Sequence, residues 1–150
     1  VTRVAVEGDV AGPVLSLREE ARLVSLRPLA ARAADSSLQA DLTGEMEAYR
    51  WGIATSGPLE VALGQRVEIT IRNASMMAHP MHLHGHHFQV VAIDGRPLRG
   101  ALRDTILVPP SQSVTIAFDA NNVGAAWAFH CHHLYHMAAG MSTTVAYREA

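Results

Sequence analysis

Gln65–Asn73 reads QRVEITIRN. Val67, Ile69 and Ile71 fall at every second position, with Arg66, Glu68 and Arg72 set to face water. Successive side chains of a strand point to opposite faces, so this is the pattern of a strand half-buried against a core. The same period recurs outward in both directions. SVTIAF (113–118) puts Val114, Ile116 and Phe118 on one face. HFQVVAI (87–93) ends at Asp94-Gly95, a dipeptide suited to the left-handed turn of a hairpin. DTILV (104–108) stops at Pro109-Pro110, and LEVALG (59–64) follows the Gly57-Pro58 turn. EMEAYRWGI (45–53) reads as one alternating strand, with Met46, Ala48 and Arg50 opposite Tyr49, Trp51 and Ile53. AAWAFHCH and MSTTVAY read as the last two strands, and HLYHMAAG (133–140) between them as a short helical turn. Short strands roughly ten residues apart, with turn signals between them, predict an all-β sandwich or barrel.

The 150 residues suit one domain with a tail. Residues 1–40 differ from the rest: REEARLVSLRPLAARAADSSLQA (18–40) is rich in Ala and Arg, is interrupted by Pro28 and has no aromatic residue. They are expected to be a linker or the end of an upstream domain, with short strands at Val4–Val6 and Val14–Leu17. Residues 41–150 are expected to be the domain proper. A chain opening on Val1 is expected to be a processed or excised piece. No lysine occurs, and the arginines are scattered in a chain of net charge −2, which argues against a nucleic-acid or anionic-membrane surface. No apolar run approaches the length of a membrane span, and the first residues lack the apolar core of a signal peptide. A single cysteine makes no internal disulfide and leaves a thiol for metal or catalysis.

All nine histidines lie between positions 79 and 136, in two groups. HPMHLHGHH supplies His79, His82, His84, His86 and His87; HCHHLYH supplies His130, His132, His133 and His136 around Cys131. On an extended strand His130 and His132 share one face and Cys131 takes the other. Cys131, His136 and an upstream His79, with Met141 as a weak thioether, make the His2Cys-plus-Met donor set of blue-copper sites. His82, His84, His130 and His132 make an all-imidazole pocket on the other side, suited to copper and also to zinc. Pro80 favours an extended His79, and Gly85 relaxes the chain after His84. A cysteine-rich structural zinc site is excluded by the lone thiol. A Cys–His hydrolase has no use for so many further histidines.

HPMHLHGHHFQVV and HCHHLYHMAAGM resemble the two copper-binding signatures of the C-terminal cupredoxin domain of multicopper oxidases, in the bacterial copper-resistance and laccase-like branch. The resemblance covers roughly residues 41–147. It implies a cupredoxin-like Greek-key β-barrel or sandwich. It also implies a type 1 copper on His79, Cys131 and His136 with Met141 axial, a type 2 copper on His82, and a type 3 pair on His84, His130 and His132. Cys131, His130 and His132 would then carry electrons from a small donor, such as Cu(I) or a phenol, towards the site where dioxygen is reduced to water. Two departures stand out. Met137 occupies the position after His136 where related oxidases often have an acid, so Asp104 or another domain is expected to supply protons. The family's trinuclear cluster takes two further His-X-His pairs from a partner domain, and His86, His87 and His133 form no such pairs. The cluster is therefore incomplete in this chain, which is expected to be inactive alone, and its open face is expected to take up stray zinc or nickel or to be covered by a second copy. Periplasmic or exported localisation follows from the resemblance. The alternatives are a stand-alone electron-transfer module and a copper buffer.

The remaining expectations are smaller. His86, His87 and His133 are read as surface or supporting residues, with His133 at the exposed edge of the type 1 site. Met76, Met77, Met81 and Met137 are read as flexible packing or as thioethers handling Cu(I). Trp51 and Trp127 are read as core, and Arg103-Asp104 as a local ion pair or a support for a ligand histidine.

Overall fold

The structure is a computed structural model and describes residues 16–124 and 126–148. The expected strand at Val4–Val6 and most of that at Val14–Leu17 lie outside the described residues. Twelve strands follow a 3-10 turn at Glu20–Arg22: β1 (Ser36–Glu45), β2 (Arg50–Thr55), β3 (Leu59–Val61), β4 (Arg66–Asn73), β5 (His79–Leu83), β6 (Phe88–Ile93), β7 (Arg96–Pro97), β8 (Leu102–Arg103), β9 (Thr105–Val108), β10 (Ser113–Asp119), β11 (Trp127–Cys131) and β12 (Ser142–Tyr147). One helix, α1 (Leu134–Ala138), lies between β11 and β12, where the helical turn is expected.

Among the described residues the strands close no barrel. They form two sheets, ordered β2-β1-β4-β10-β6-β7 with β8 also on β6, and β3-β12-β11-β5-β9. Both are mixed, because β1 runs parallel to β4 and β12 parallel to β3. The sandwich alternative therefore holds, and the barrel does not. Alternation built the first sheet as expected: Val67, Ile69, Ile71, Val114, Ile116 and Phe118 are fully buried. They join Met81, Leu83, Val108, Phe129 and Val145 of the second sheet in one core. Asp94 and Gly95 both have positive φ, as the hairpin turn after β6 requires.

Two expectations fail. EMEAYRWGI is not one strand, because Met46–Tyr49 turns between β1 and β2 and leaves Met46 and Tyr49 exposed. Arg66 does not face water. It is buried, with Nε donating to Asp119 at 2.8 Å and Nη1 donating to the Ala30 carbonyl at 3.0 Å. The first strand begins ahead of position 41, at Ser36, and pairs with β4 from Ser36↔Val67 onward. Even Leu17 packs into the core, and Glu20 meets Arg103.

Candidate metal centre

The register of β11 against β5 makes the centre. Cys131 lies opposite Met81, His130 opposite His82 and Phe129 opposite Leu83. Cys131, Met81, Leu83 and Phe129 all turn into the core, so the intervening histidines take the outer face. One strand thus presents a thiol inward and imidazoles outward, as its spacing predicts.

Inside, His79 comes from the start of β5 and His136 from α1. That helix bends the chain back five residues after Cys131. Its exit is closed by Gly140, at φ 118°, and by backbone bonds from Met141 N–H to the His136 carbonyl and from Cys131 N–H to the Met141 carbonyl. His79 Nδ1 and His136 Nδ1 lie 3.1 Å apart, and Cys131 Sγ lies 3.7 and 3.8 Å from them. The centre of that triangle is about 2 Å from each atom, close to the length of a metal–imidazole bond. Two imidazoles and a thiol in a trigonal, buried set fit copper. Burial pushes the His79 pKa down to about 4, with the His136 and His133 charges adding to it. Burial likewise lowers the pKa of His136 and raises that of the Cys131 thiol. The metal-free site is therefore neutral at pH 7: two unprotonated imidazoles and a thiol that must lose its proton to ligate. Met141 is fully buried, its carbonyl accepting from the Cys131 backbone N–H.

Outside, His84 Nε2 and His130 Nε2 lie 3.0 Å apart. The His82 ring centroid is 4.6 Å from that of His84 and 5.3 Å from that of His132, and the His130 and His132 rings stack at 5.7 Å. Backbone carbonyls set the tautomers. His82 Nδ1–H donates to the Asp104 carbonyl at 2.8 Å, and His130 Nδ1–H donates to the Cys131 carbonyl at 3.0 Å. Each leaves Nε2 as the free donor atom. The inner histidines converge through Nδ1 and the outer pair through Nε2. Burial and the neighbouring imidazoles lower the pKa of His84.

Some of the remaining residues follow expectation and others depart from it. His133 joins the inner group, its ligand atom within 4.8 Å of those of His79, Cys131 and His136, while its side chain stays exposed at the rim. Arg103 pairs with Glu20, not Asp104, and Asp104 orients His82 through its backbone. His86 is buried, with Nδ1–H donating to the His84 carbonyl at 3.2 Å and Nε2 2.8 Å from the Tyr147 hydroxyl; His87 is exposed. Met81 is core packing, whereas Met76 is exposed. Trp51 is core and its ring stacks on His136 at 4.6 Å, while Trp127 is only half-buried. That Trp51 faces a histidine of the inner set had no signal in its local sequence, because the contact joins β2 to α1.

The sequence pattern of the Multicopper oxidase family matches residues 31–150. The chain belongs to the multicopper oxidase family. Copper is therefore the metal of this domain. The domain is 44% identical over 115 residues to the multicopper oxidase MmcO of Mycobacterium tuberculosis, covering 73% of this chain and 22% of that protein. It is 36% identical over 123 residues to copper resistance protein A of Pseudomonas syringae pv. tomato, covering 79% and 20%. Its fold matches the McoA multicopper oxidase of Aquifex aeolicus with a TM-score of 0.67 at 26% identity, over 82% of this chain and 31% of that one. The chain thus spans about a fifth of the length of the curated relatives it matches. No helix among the described residues is long and apolar enough to cross a membrane.

Proposed function

We propose that this chain is the C-terminal cupredoxin domain of a longer multicopper oxidase, carrying a type 1 copper site and half of a trinuclear site. The observation that carries the reading is β11, with its buried thiol between two imidazole nitrogens on one side and four imidazoles gathered on the other. His79, Cys131 and His136 are assigned to the type 1 ion with Met141 axial, His82 to type 2, and His84, His130 and His132 to type 3. Bound copper would supply one-electron redox chemistry at the inner site and, completed by a second domain, reduction of dioxygen to water at the outer one. His130 and His132 flank Cys131 covalently and so join the two sites through a few bonds. An upstream cupredoxin domain would supply the missing His-X-His pairs, with the residues ahead of β1 as the connection to it. Periplasmic or exported localisation suits a copper-resistance role.

One feature favours Cu(I) over phenols as the donor. Met46, Met76 and Met77 line a cavity of about 250 Å³ with Glu45 and Glu47. Its wall includes Trp51 and Ser75, which touch His136 and His79 respectively. Thioethers are soft ligands that suit Cu(I).

Copper titration of the chain tests the reading. An intense visible absorption should develop as the inner site fills, and dioxygen consumption by the chain alone should be negligible. A colourless copper-loaded protein would overturn the type 1 assignment and leave a copper buffer. Brisk oxygen uptake would overturn the half-cluster. A parent gene without upstream cupredoxin domains would leave a stand-alone electron-transfer module.

A further inference from the structure

We propose that Ser75, held by Asn73, is the positioning residue that selects the ligating tautomer of His79. The proposal rests on the inner site described above, and its first test needs no metal. His79 is fully buried, so water does not choose between its ring nitrogens; its neighbours do. Nδ1 faces His136 and Cys131, and Nε2 lies 2.6 Å from Ser75 Oγ. A neutral imidazole has one N–H and one lone pair, and only the Nε2–H form leaves the Nδ1 lone pair aimed at the other donors.

The choice runs back to fixed backbone groups. Asn73 Nδ2 donates to the Val108 carbonyl at 2.9 Å and to the Met77 carbonyl at 2.6 Å. Asn73 Oδ1 accepts from the Ser75 backbone N–H at 2.9 Å. Carbonyls only accept and a backbone N–H only donates, so the Asn73 amide has one orientation. Its Oδ1 then accepts the Ser75 hydroxyl proton at 2.8 Å. With its proton given to Asn73 Oδ1, or to the Met77 carbonyl 3.2 Å away, Ser75 Oγ offers His79 a lone pair, and in the proposed network His79 donates to it from Nε2. Ser75 and Asn73 are both buried, so no solvent competes for these bonds. Groups that hold the far nitrogen of a ligand histidine set its ring orientation and basicity, and losing them weakens metal binding about 10–100-fold.

Long-range proton–nitrogen NMR of the metal-free, histidine-labelled chain reads the tautomer directly. The wild type should show His79 with its proton on Nε2; a proton on Nδ1 would overturn the proposal without any variant. Ser75→Ala should lose that preference and weaken Cu(II) uptake at the inner site about tenfold or more, while Ser75→Thr, which keeps the hydroxyl, should retain both. A folded Ser75→Ala with unchanged tautomer and unchanged affinity would also overturn it. If the wild type shows the Nε2–H tautomer, lost in Ser75→Ala, yet gives no blue absorption with copper, the proposal stands and the type 1 reading fails.

Discussion

Cys131 and His130 are adjacent in sequence and face opposite sides of one strand, the thiol 3.7 Å from His79 Nδ1 and the imidazole Nε2 3.0 Å from His84 Nε2. The backbone between them, like that between Cys131 and His132, connects the inner and outer donor sets through a few bonds. The two sets are therefore separable by mutation although they share a strand. Cys131→Ser should abolish the intense visible absorption of the copper-loaded chain while the four outer histidines still take up metal. His84→Ala should do the reverse. Absorption spectra paired with metal analysis decide it, and a Cys131→Ser protein that stays blue would break the assignment.

Gly44, near the end of β1, links the two inner imidazoles from outside. A Cβ placed there would lie 2.7 Å from Trp51 Cδ1 and 3.3 Å from Ser75 Cβ. Trp51 stacks on His136 and Ser75 meets His79, so both neighbours of the donor triangle converge on a position that has room only for hydrogen. Gly44→Ala should cost about 1–3 kcal/mol in urea unfolding, the usual penalty of overpacking. It should also shift the visible band without touching a donor. Equal stability and an identical spectrum would show that the clamp is loose.

Much of this was legible in the chain because it is local. Period-2 alternation gave β4 and β10, Asp94-Gly95 gave the turn after β6, and the His-Cys-His spacing gave the two faces of β11. What was hidden depends on partners far along the chain. Arg66 looks like a water-facing residue until Asp119, 53 residues on, reaches its guanidinium. The Met46–Tyr49 turn contains neither Gly nor Pro, so alternation runs through it undisturbed; Tyr49 absorbs the reversal at φ 54°. His86 reads as either a surface or a supporting histidine, and only Tyr147, from the last strand, decides it by covering the ring. The pairing of β1 with β4 is parallel and needs the whole intervening crossover through β2 and β3, which no local pattern announces.

The Arg66–Asp119 pair makes stability acid-sensitive in a defined direction. The hydrogen bond from Arg66 holds the Asp119 carboxyl below its usual 3.8, burial opposes the shift, and Arg32 adds to it. A carboxyl whose folded pKa is depressed stabilises the fold fully above its unfolded value, and loses that contribution as pH falls through the folded one. Asp119→Asn leaves the buried guanidinium without its counter-charge and should cost roughly 1–3 kcal/mol at pH 7. The gap between the wild type and the variant should narrow below about pH 4. Denaturant unfolding of both proteins from pH 7 to pH 2 measures it. A gap that stays constant across that range would remove Asp119 from the account.

Gly85 lies between His84 of the outer histidine set and the buried His86, and two constraints meet there. Its φ is 71°, a conformation costly for any residue with a Cβ, and a Cβ would sit 2.4 Å from the Trp127 ring. The surrounding bonds leave the loop no easy retreat. Asn122 Nδ2 donates to the Gly85 carbonyl at 2.8 Å, Trp127 Nε1 donates to the Asn122 carbonyl at 2.8 Å, and His86 Nδ1–H donates to the His84 carbonyl. Gly85→Ala must therefore strain the backbone and displace the indole together, for roughly 2–4 kcal/mol in all. Because the displacement is next to His84, metal uptake by the outer face should weaken, while the blue absorption, which depends on the opposite face of β11, should persist. Unfolding followed by tryptophan fluorescence, with zinc titration of the outer histidines, tests both halves. An alanine variant within about 0.5 kcal/mol of the parent, the range of an ordinary surface substitution, would mean that the loop has another conformation available.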